Sequence, residues 1–489
     1  MFPLVLGLDL GTTNAKAAAY DLHGNLVGER MVAYPTHYPH PDAAEQTIAD
    51  WVAALSAACR QLMALLGKDK DALMAIGLSA HGPGVILIDG TGKPLLPTSP
   101  IWQDRRSSPQ GEELLKLLGE GWTGLGIARN SFPAQLKWTI EHFPQQAEQA
   151  AYALGIKEYL AYWLTGEIAT EPSQVAGGEQ WSPKLIEASG WDVRRLAPVR
   201  SASAFVGKVR SQVVSELGLP AALPVITGLA DGAAATLSMG AIEANSAVLT
   251  LATSGVIRFV LPAPVEPSLQ RSHDLFCWPY LAGLWIVGGH IKAAASALHW
   301  LASLQTSAQD EQALAKLIAN AQESPAGSRG VVFLPYLLGR GSPHADETAQ
   351  AAFLGLSLAH QPSDLTRAVL EGVAFAYRDV LDDFLQLSYS VAELRISGGG
   401  ARSAFWRQIL ADVLQRPLVY YNADSTLGVA LLATLAIGVH ADLSVAIQAM
   451  VRPQERVDPV ELQVAQYEPH FQRYQTFRDR LYPISKPRS

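Results

Sequence analysis

Residues 5–21 decide the fold class, and they read Val-Leu-Gly-Leu-Asp-Leu-Gly-Thr-Thr-Asn-Ala-Lys-Ala-Ala-Ala-Tyr-Asp. The apolar run Val5–Leu10 predicts a strand, and Ala15–Asp21 predicts a second strand that returns beside it. The loop between them contains a glycine, two threonines and an asparagine, and a lysine follows. A polyphosphate needs such a mixture, because glycine lets backbone N–H groups approach, hydroxyls bind oxygens, and a carboxylate such as Asp9 holds Mg²⁺. A tight hairpin with a solvated tip would use the same residues.

Similar loops recur twice later in the chain. A second hairpin is predicted from the strands Ala247–Leu251 and Val256–Leu261 around the small polar loop 252–255. The third loop, Gly398–Gly400, follows a strand predicted over 393–397. Three phosphate-sized loops at strand ends predict an α/β protein with two related lobes around a central cleft. The loops match neither the Gly-x-x-x-x-Gly-Lys-Ser/Thr spacing nor a Gly-x-Gly-x-x-Gly fingerprint after the first strand.

The composition excludes several classes of protein. Of the 489 residues, 17% are charged and 49% are hydrophobic, so most of the chain is expected to be packed, which excludes disorder and a coiled coil. The formal net charge is −8 and no basic run occurs, so nucleic acid is not an expected partner. The two distant cysteines, Cys59 and Cys277, form neither a disulfide framework nor a zinc-binding spacing. A reducing, cytoplasmic location is therefore predicted.

No segment is expected to enter a membrane. The N-terminal sequence has no basic region, and Asp9 interrupts its apolar run too early for a signal peptide. The most hydrophobic uncharged stretch, Ser425–Ala441, contains two glycines and a histidine and falls short of a membrane span. We interpret this stretch as a buried helix.

Helical periodicity predicts three further elements. The first helix covers residues 50–67, with Asp50 as its N-cap and Gly67 as its stop. A long amphipathic helix extends from Ser363 to about Leu387. The third helix follows the triple glycine, and Ser403 is placed to cap it.

Asp231 is the candidate general base. It lies among small apolar residues at a predicted strand-to-helix junction, where a carboxylate is both desolvated and positioned. The same position suits an aspartate that merely caps the helix.

A second group of residues is suited to binding a polyol. His81 lies between two predicted strands, where a neutral imidazole can bond a hydroxyl, although a solvated loop histidine is the simpler interpretation. Trp102, Gln103 and Asp104 are followed by two arginines, so an aromatic plate, an amide and an acid are adjacent; a salt-bridged surface turn is the alternative. The histidines form no metal-binding array, so no protein-bound transition metal is implied.

The order of these motifs resembles that of the FGGY carbohydrate kinases, sugar and polyol kinases of the actin-like (ribonuclease H-like) ATPase superfamily. The resemblance covers nearly the whole chain. It rests on the following segments: Gly7-Leu8-Asp9-Leu10-Gly11-Thr12-Thr13, Glu45-Gln46, His81-Gly82, Trp102-Gln103-Asp104-Arg105-Arg106, Thr165-Gly166-Glu167, Asp231, Thr253-Ser254-Gly255, Phe333-Leu334-Pro335-Tyr336, Leu370-Glu371-Gly372 and Gly398-Gly399-Gly400-Ala401-Arg402-Ser403.

The resemblance implies transfer of the ATP γ-phosphoryl group to a terminal hydroxyl of a small sugar, with Mg²⁺. Asp231 would be the general base, and Asp9 would organise the metal ion. The implied nucleotide-binding residues are Thr12, Thr13, Asn14, Lys16, Thr253, Gly398, Gly399, Gly400 and Ser403. The implied sugar-binding residues are Ala80, His81, Trp102, Gln103, Asp104 and Asp231. Residues 1–243 would form the sugar-binding lobe with the first phosphate loop, residues 244–489 the nucleotide-binding lobe, and a homodimer is compatible with such a kinase.

The resemblance favours D-xylulose as the sugar, with gluconate or another polyol as the alternative. Ala80, His81 and the segment 294–296 are similar to xylulokinases, whereas glycerol kinases differ at these positions and after the base. Xylulokinases commonly have Asn where this chain has Gly232, and the segments 156–159 and 253–258 are similar to gluconokinases.

Two departures from the family pattern leave a non-catalytic regulator of the same fold as a further possibility. Arg340 stands in a segment that usually reads Gly-Glu-Arg-x-Pro, and Ala252 replaces the usual glycine before Thr253. The presence of Asp9, Thr13, Asp231 and Thr253 together favours a working kinase.

Overall fold

The structure is a computed structural model that describes residues 2–119, 130–176, 178–281, 283–305 and 311–483. Within these ranges the strands are β1 Leu4–Leu10, β2 Asn14–Asp21, β3 Leu26–Ala33, β4 Glu45–Thr47, β5 Leu73–Ala80, β6 Ile86–Ile88, β7 Thr98–Pro100, β8 Tyr152–Leu154, β9 Phe205–Lys208, β10 Pro224–Ile226, β11 Leu229–Ala230, β12 Ala247–Leu251, β13 Gly255–Leu261, β14 Phe276–Pro279, β15 Trp285–Ile291, β16 Val332–Leu334, β17 Ala352–Leu354, β18 Leu394–Ser397, β19 Leu418–Tyr420 and β20 Glu455–Val457.

The helices in the same ranges are α1 Ile48–Leu66, α2 Ser108–Leu118, α3 Phe132–His142, α4 Pro144–Gln149, α5 Ile156–Thr165, α6 Pro183–Ala188, α7 Ser211–Leu217, α8 Asp231–Ser238, α9 Pro267–Ser272, α10 Ala295–Gln305, α11 Glu311–Ala321, α12 Pro362–Gln386, α13 Ala404–Leu414, α14 Ser425–Ala436, α15 Leu443–Met450 and α16 Glu461–Leu481.

Two sheets with the same plan carry the fold. In the first, the order is β3-β2-β1-β5-β10-β9; the first three strands are antiparallel, while β5 is parallel to β1 and to β10. In the second, the order is β14-β15-β13-β12-β18-β19-β20; β15, β13 and β12 are antiparallel, while β18 is parallel to β12 and to β19. The prediction of two related α/β lobes is confirmed, although the sequence repeat itself is weak. The lobe boundary at 243/244 falls between α8 and β12 and stays a prediction.

Helix α14 joins the two lobes. In the chain it lies between β19 and β20 of the second sheet, but it packs on β1, β5 and α8 of the first lobe. A Cβ at Gly7 would overlap the carbonyl oxygen of Thr426, and a Cβ at Gly77 would overlap that of Val429. A Cβ at Gly428 would likewise overlap the carbonyl oxygen of Ala234 in α8. The interpretation of this stretch as a buried helix is confirmed, since residues 425–434 are all buried.

Helix α1 packs against β2 and β3 and supplies core residues of the first lobe, including Trp51 and Cys59. The predicted N-cap was wrong: the helix begins at Ile48 after Thr47, and Asp50 lies in its first turn. It begins earlier because Ile48 and Trp51 bury their side chains in the core, which holds the preceding turn in helical form. Within the described ranges, the stretch 48–72 is long and apolar enough to cross a bilayer by length and composition, but half of it is buried in the protein.

Two other helices agree with the periodicity. Helix α12 has a reciprocal capping box between Gln361 and Asp364, and its buried face is part of the core of the second lobe. The hydroxyl of Ser403 accepts a hydrogen bond from the backbone N–H of Trp406 at 3.2 Å, so the predicted cap of α13 is confirmed.

Candidate active site

The candidate residues of the first lobe meet at one edge of its sheet. Asp9 near the end of β1 is paired in register with Ser79 of β5, and β11 places Leu229 opposite the same serine. Because β1, β5 and β11 run in parallel, their carboxyl ends share this edge. The edge therefore carries Asp9, the segment that follows Ser79, and Asp231, which begins α8 directly after β11.

Asp231 is partly buried and is not the N-cap of its helix. The N-cap position belongs to Ala230, and Asp231 Oδ1 accepts a hydrogen bond from the backbone N–H of Gly232 at 2.6 Å. Burial raises the pKa of Asp231, while the Gly232 N–H and the charge of Arg258 oppose that rise. A partly desolvated carboxylate with a second oxygen left for another partner has the properties that a general base requires.

Asp9 has an unsatisfied oxygen in the same place. Its Oδ1 is buried without a hydrogen-bond partner among the described residues. Burial, together with repulsion from Asp231 and Asp424, raises the pKa of Asp9 to about 7, against the opposing effect of the hydroxyls of Ser79 and Ser425. A buried carboxylate that lacks a counter-charge fits the role of a Mg²⁺ ligand, since Mg²⁺ is usually held by one or two carboxylates together with substrate phosphates.

Asp424 is a site residue that sequence reasoning missed. It caps α14 through the N–H of Thr426, and its other oxygen accepts a bond from Lys16 Nζ at 2.5 Å. Burial acts to raise the pKa of Asp424, but Lys16 and Thr426 outweigh it and hold that pKa below its ordinary value. Lys16 also pairs with Glu29 at 2.5 Å, so in this structure its charge is used by two carboxylates, and its contact with phosphate stays a prediction.

Hydrogen bonds from Trp102 and from within the loop itself hold the first phosphate loop. The hydroxyl of Thr12 accepts a bond from Trp102 Nε1 at 3.0 Å, and Asn14 Nδ2 donates to the hydroxyl of Thr13 at 2.8 Å. Gly11 closes the turn by donating its N–H to the carbonyl of Asn14 at 3.0 Å. Thr13 itself is exposed and so remains accessible to a ligand.

The second loop is bonded to residues 294–296, and the third loop packs against the end of β12, just before the second loop. The carbonyl of the exposed Thr253 accepts bonds from the N–H groups of Ala294 and Ser296, both at 3.1 Å. Gly398 has a φ of 105°, and a Cβ there would clash with the carbonyl of Leu251, so only glycine fits. A Cβ at Gly399 would meet no atom within 4 Å, and this glycine therefore borders open space.

His81 is buried rather than solvated, and its tautomer follows from its neighbours. Gln46 Oε1 accepts a bond from Trp51 Nε1, which can only donate, so His81 Nε2 at 3.2 Å from the same oxygen must donate as well. Burial lowers the pKa of His81 to about 3, so the ring is neutral at physiological pH. Nδ1 is then an acceptor, and it is buried without a partner among the described residues. Ala80 beside it is also fully buried.

The Trp102 segment is only partly available for a sugar. Trp102 is 42% exposed, and Gln103 accepts a bond from the hydroxyl of Tyr38 at 3.1 Å. Asp104 is 1% exposed; its oxygens accept bonds from the N–H of Ala44 and from the Arg106 guanidinium. The salt-bridged turn expected as the alternative is therefore present, with Trp102 and Arg105 exposed and Asp104 buried. A sugar contact by Asp104 stays a prediction and would require one of these bonds to be exchanged.

A buried network supports the chain just before the candidate base. Lys157 Nζ donates to the carbonyl of Thr227 at 2.8 Å and lies 3.6 and 3.5 Å from the carboxylates of Glu158 and Glu171. The carboxylate of Glu171 accepts bonds from Ser173, whose hydroxyl in turn accepts the N–H of Ala230 at 3.0 Å. Hydrogen bonds therefore fix the segment that leads to Asp231 at Thr227, before β11, and at Ala230, the last residue of β11.

The two departures from the family pattern both make local hydrogen bonds, and nothing in the structure explains the alanine at position 252. Arg340 is buried, and its Nε donates to the carbonyl of His344 at 2.6 Å, so it braces its own loop. The N–H of Ala252 donates to the carbonyl of Ser254 at 3.2 Å within the second loop.

Comparison with known proteins agrees with the geometry. The model of the FGGY family of carbohydrate kinases, N-terminal domain, matches residues 4–238, and that of the C-terminal domain matches residues 247–437. The xylulose kinase of Escherichia coli K12 is 30% identical over 98% of this chain and 100% of its own. A crystal structure described as a "xyloylose kinase" from Brucella ovis has a TM-score of 0.87 at 29% identity, covering 99% of this chain and 100% of that one. That of gluconate kinase from Lactobacillus acidophilus has a TM-score of 0.85 at 26% identity, covering 98% of each chain.

Proposed function

Since the chain belongs to the FGGY family of carbohydrate kinases and is a sugar kinase, we propose that it phosphorylates D-xylulose at its terminal hydroxyl to give D-xylulose 5-phosphate. ATP is the phosphoryl donor, and a cytoplasmic location is part of the proposal. One observation carries the proposed activity: Asp231 and Asp9 lie at one sheet edge, beside the buried His81. Asp9 Oδ1 has no hydrogen-bond partner among the described residues.

The proposed reaction is a single in-line transfer. The acceptor hydroxyl oxygen forms a bond to the γ-phosphorus while the bond from that phosphorus to the β,γ-bridging oxygen breaks, and ADP leaves with the electron pair. The hydroxyl proton passes to the free oxygen of Asp231. The Gly232 N–H on the other oxygen holds the carboxylate in orientation. Positioning and charge neutralisation supply most of the rate enhancement in such transfers.

Asp9 is the residue proposed to hold Mg²⁺ together with the phosphates. When bound, Mg²⁺ supplies neutralisation of the charge on the β- and γ-phosphate oxygens. Asp424 pairs with Lys16, and Thr13, Thr253 and Gly399 leave the remaining side of the site open to the nucleotide.

The sugar end of the site supports a neutral polyol. His81 Nδ1 is a fixed acceptor that finds no partner in the described part of the chain, so it is suited to accept a bond from a sugar hydroxyl. Its low pKa keeps the imidazole uncharged, and a neutral ring adds no attraction for a carboxylate. The relatives named xylulose kinase support the same substrate.

Gluconate is the second candidate acceptor, and one observation favours it. Because Gly232 has no side chain, the cationic guanidinium of Arg258 lies beside it, next to Asp231. The carboxylate of an acidic sugar could pair with this cation. The similarity to a gluconate kinase structure supports this candidate.

The test is an ADP-release assay with MgATP against D-xylulose, L-xylulose, D-ribulose, L-ribulose, gluconate, glycerol and erythritol. Asp231→Ala provides the blank. Turnover confined to D-xylulose supports the proposal, and turnover confined to gluconate replaces it. Intact ATP binding with no turnover of any acceptor would contradict both and favour a regulatory protein.

A further inference from the structure

Arg258 has a buried N–H group without a partner. It projects from β13 of the second lobe, and only 8% of the residue is exposed. Its Nη1 donates to the hydroxyl of Thr250 at 2.9 Å. Its Nε is buried and has no acceptor within the described ranges. Burial lowers the pKa of Arg258. The guanidinium nevertheless stays charged, because arginine is not deprotonated in proteins. A buried charged donor without an acceptor is costly, which suggests that a ligand supplies the acceptor.

The guanidinium reaches across the cleft to the start of α8. A Cβ at Gly232 would lie 3.1 Å from Arg258 Nη2 and 3.4 Å from Nε. The absence of a side chain at Gly232 therefore lets the guanidinium lie beside the residue that follows Asp231. No salt bridge within 4.0 Å joins Arg258 to Asp231 in the described structure, and their charges interact only at longer range. Lys16, by contrast, is already paired with Glu29 and Asp424.

We propose that Arg258 is a catalytic residue, which donates hydrogen bonds to the phosphoryl group as it passes from ATP to the acceptor hydroxyl at Asp231. The inference rests on the proposed role of Asp231 as base. During transfer, negative charge is spread over the three equatorial phosphoryl oxygens. A guanidinium in a buried site stabilises that charge strongly, because charge-assisted hydrogen bonds gain strength where water is excluded. Arg258 gives up no proton in this step.

The phosphoryl group is a better fit than a carboxylate of the acceptor. The reacting hydroxyl must contact Asp231, and the guanidinium lies next to Gly232, one residue away. In an extended six-carbon sugar acid the carboxylate is six bonds from the reacting oxygen, which is about 7 Å at ~1.2 Å per bond. The Arg258 guanidinium, which lies beside the base, is therefore nearer to the transferred phosphoryl group than to the carboxylate of such a sugar acid.

The test compares Arg258→Ala and Arg258→Lys with Arg60→Ala, which removes an exposed arginine from α1. We expect kcat of Arg258→Ala to fall about 10²- to 10³-fold with every acceptor that the enzyme uses, while the KM for the sugar changes little. Arg258→Lys should retain part of the rate, because it keeps the charge but loses the planar fork. Free guanidinium ion should restore part of the rate of Arg258→Ala and none of that of Asp231→Ala. Arg60→Ala should behave as the parent.

A second measurement does not depend on turnover. ADP with aluminium fluoride mimics the group in transfer, and its affinity should fall in Arg258→Ala while the affinity for ADP alone is unchanged. A failed proposed function would appear as an inactive parent enzyme, whereas this measurement tests Arg258 in either case. An unchanged kcat in an active parent would overturn the inference. So would a loss confined to gluconate, or an equal affinity of parent and variant for ADP with aluminium fluoride.

Discussion

Replacing Lys157 by methionine should destabilise the first lobe strongly. Lys157 is 1% exposed and is the cation that faces the carboxylates of Glu158 and Glu171, which are themselves almost completely buried. Methionine preserves most of the side-chain length and removes the charge. The variant then leaves two buried carboxylates without their counter-charge and the carbonyl of Thr227 without its donor. Breaking a buried ion pair by removing one partner costs about 3–5 kcal/mol.

The loss of folding stability in Lys157→Met should depend on pH. Burial raises the pKa of Glu171, and Lys157 limits that rise, so Lys157→Met should raise the pKa further. A carboxyl whose pKa is higher in the folded state is destabilising above that pKa and relieved by protonation below it. The difference in free energy of unfolding between parent and variant is therefore largest at neutral pH and shrinks as the pH falls through the folded-state pKa of Glu171.

The assay is urea denaturation at pH 7.5 and pH 5, with Lys68→Met on the exposed surface as the matched control. The control should lie within about 0.5 kcal/mol of the parent. A loss below about 1 kcal/mol for Lys157→Met at pH 7.5 would refute the reasoning, as would a loss that grows towards pH 5. In the folded fraction, turnover should also fall, because Thr227 fixes the segment that leads to Asp231.

Three shorter predictions concern the site. Asp231→Asn should reduce kcat about 10²- to 10⁴-fold in steady-state assays while sugar binding survives; an unchanged rate would contradict the assignment of the base. His81→Ala should raise the Kd for sugar in calorimetry more than the Kd for ATP, and equal losses would indicate a role in folding instead. Asp9→Asn should raise the thermal unfolding midpoint of the ligand-free protein at pH 8, because the pKa of Asp9 lies near 7 when folded and near 3.8 otherwise. That gain should shrink between pH 7 and pH 4, and a gain independent of pH would exclude Asp9 as its source.

Local patterns were enough to predict the elements that carry the site. The two hairpins, α12, α13 and the buried α14 all depend on periodicity and caps within a short stretch of chain, and the structure has them within a few residues. The start of α1 was misplaced because Asp50 has the chemistry of a cap, while the actual start depends on burial of Ile48 in the core.

The residues that were missed depend on partners far away in the chain. Asp424 reaches Lys16 from 408 positions away, and nothing near Asp424 indicates that contact. Gln46 fixes the tautomer of His81 from 35 positions away, and Arg258 is placed beside Gly232 only once the two lobes have met. Sequence reasoning named candidate residues that the structure brings to one sheet edge, but hydrogen-bond partners across a cleft follow from the arrangement of the sheets and not from spacing.

The contacts of α14 have a consequence for how the protein assembles. Its backbone touches Gly7 and Gly77 so closely that no side chain fits between them, and residues 425–434 are buried. During synthesis, the strands β1 and β5 emerge more than 300 residues before this helix, because β5 ends at residue 80 and α14 begins at residue 425. Until then, the apolar face around Gly7 and Gly77 lacks its cover. The first lobe therefore reaches its final packing only after most of the second lobe has been made, and a nascent chain stalled between the lobes would be prone to aggregation.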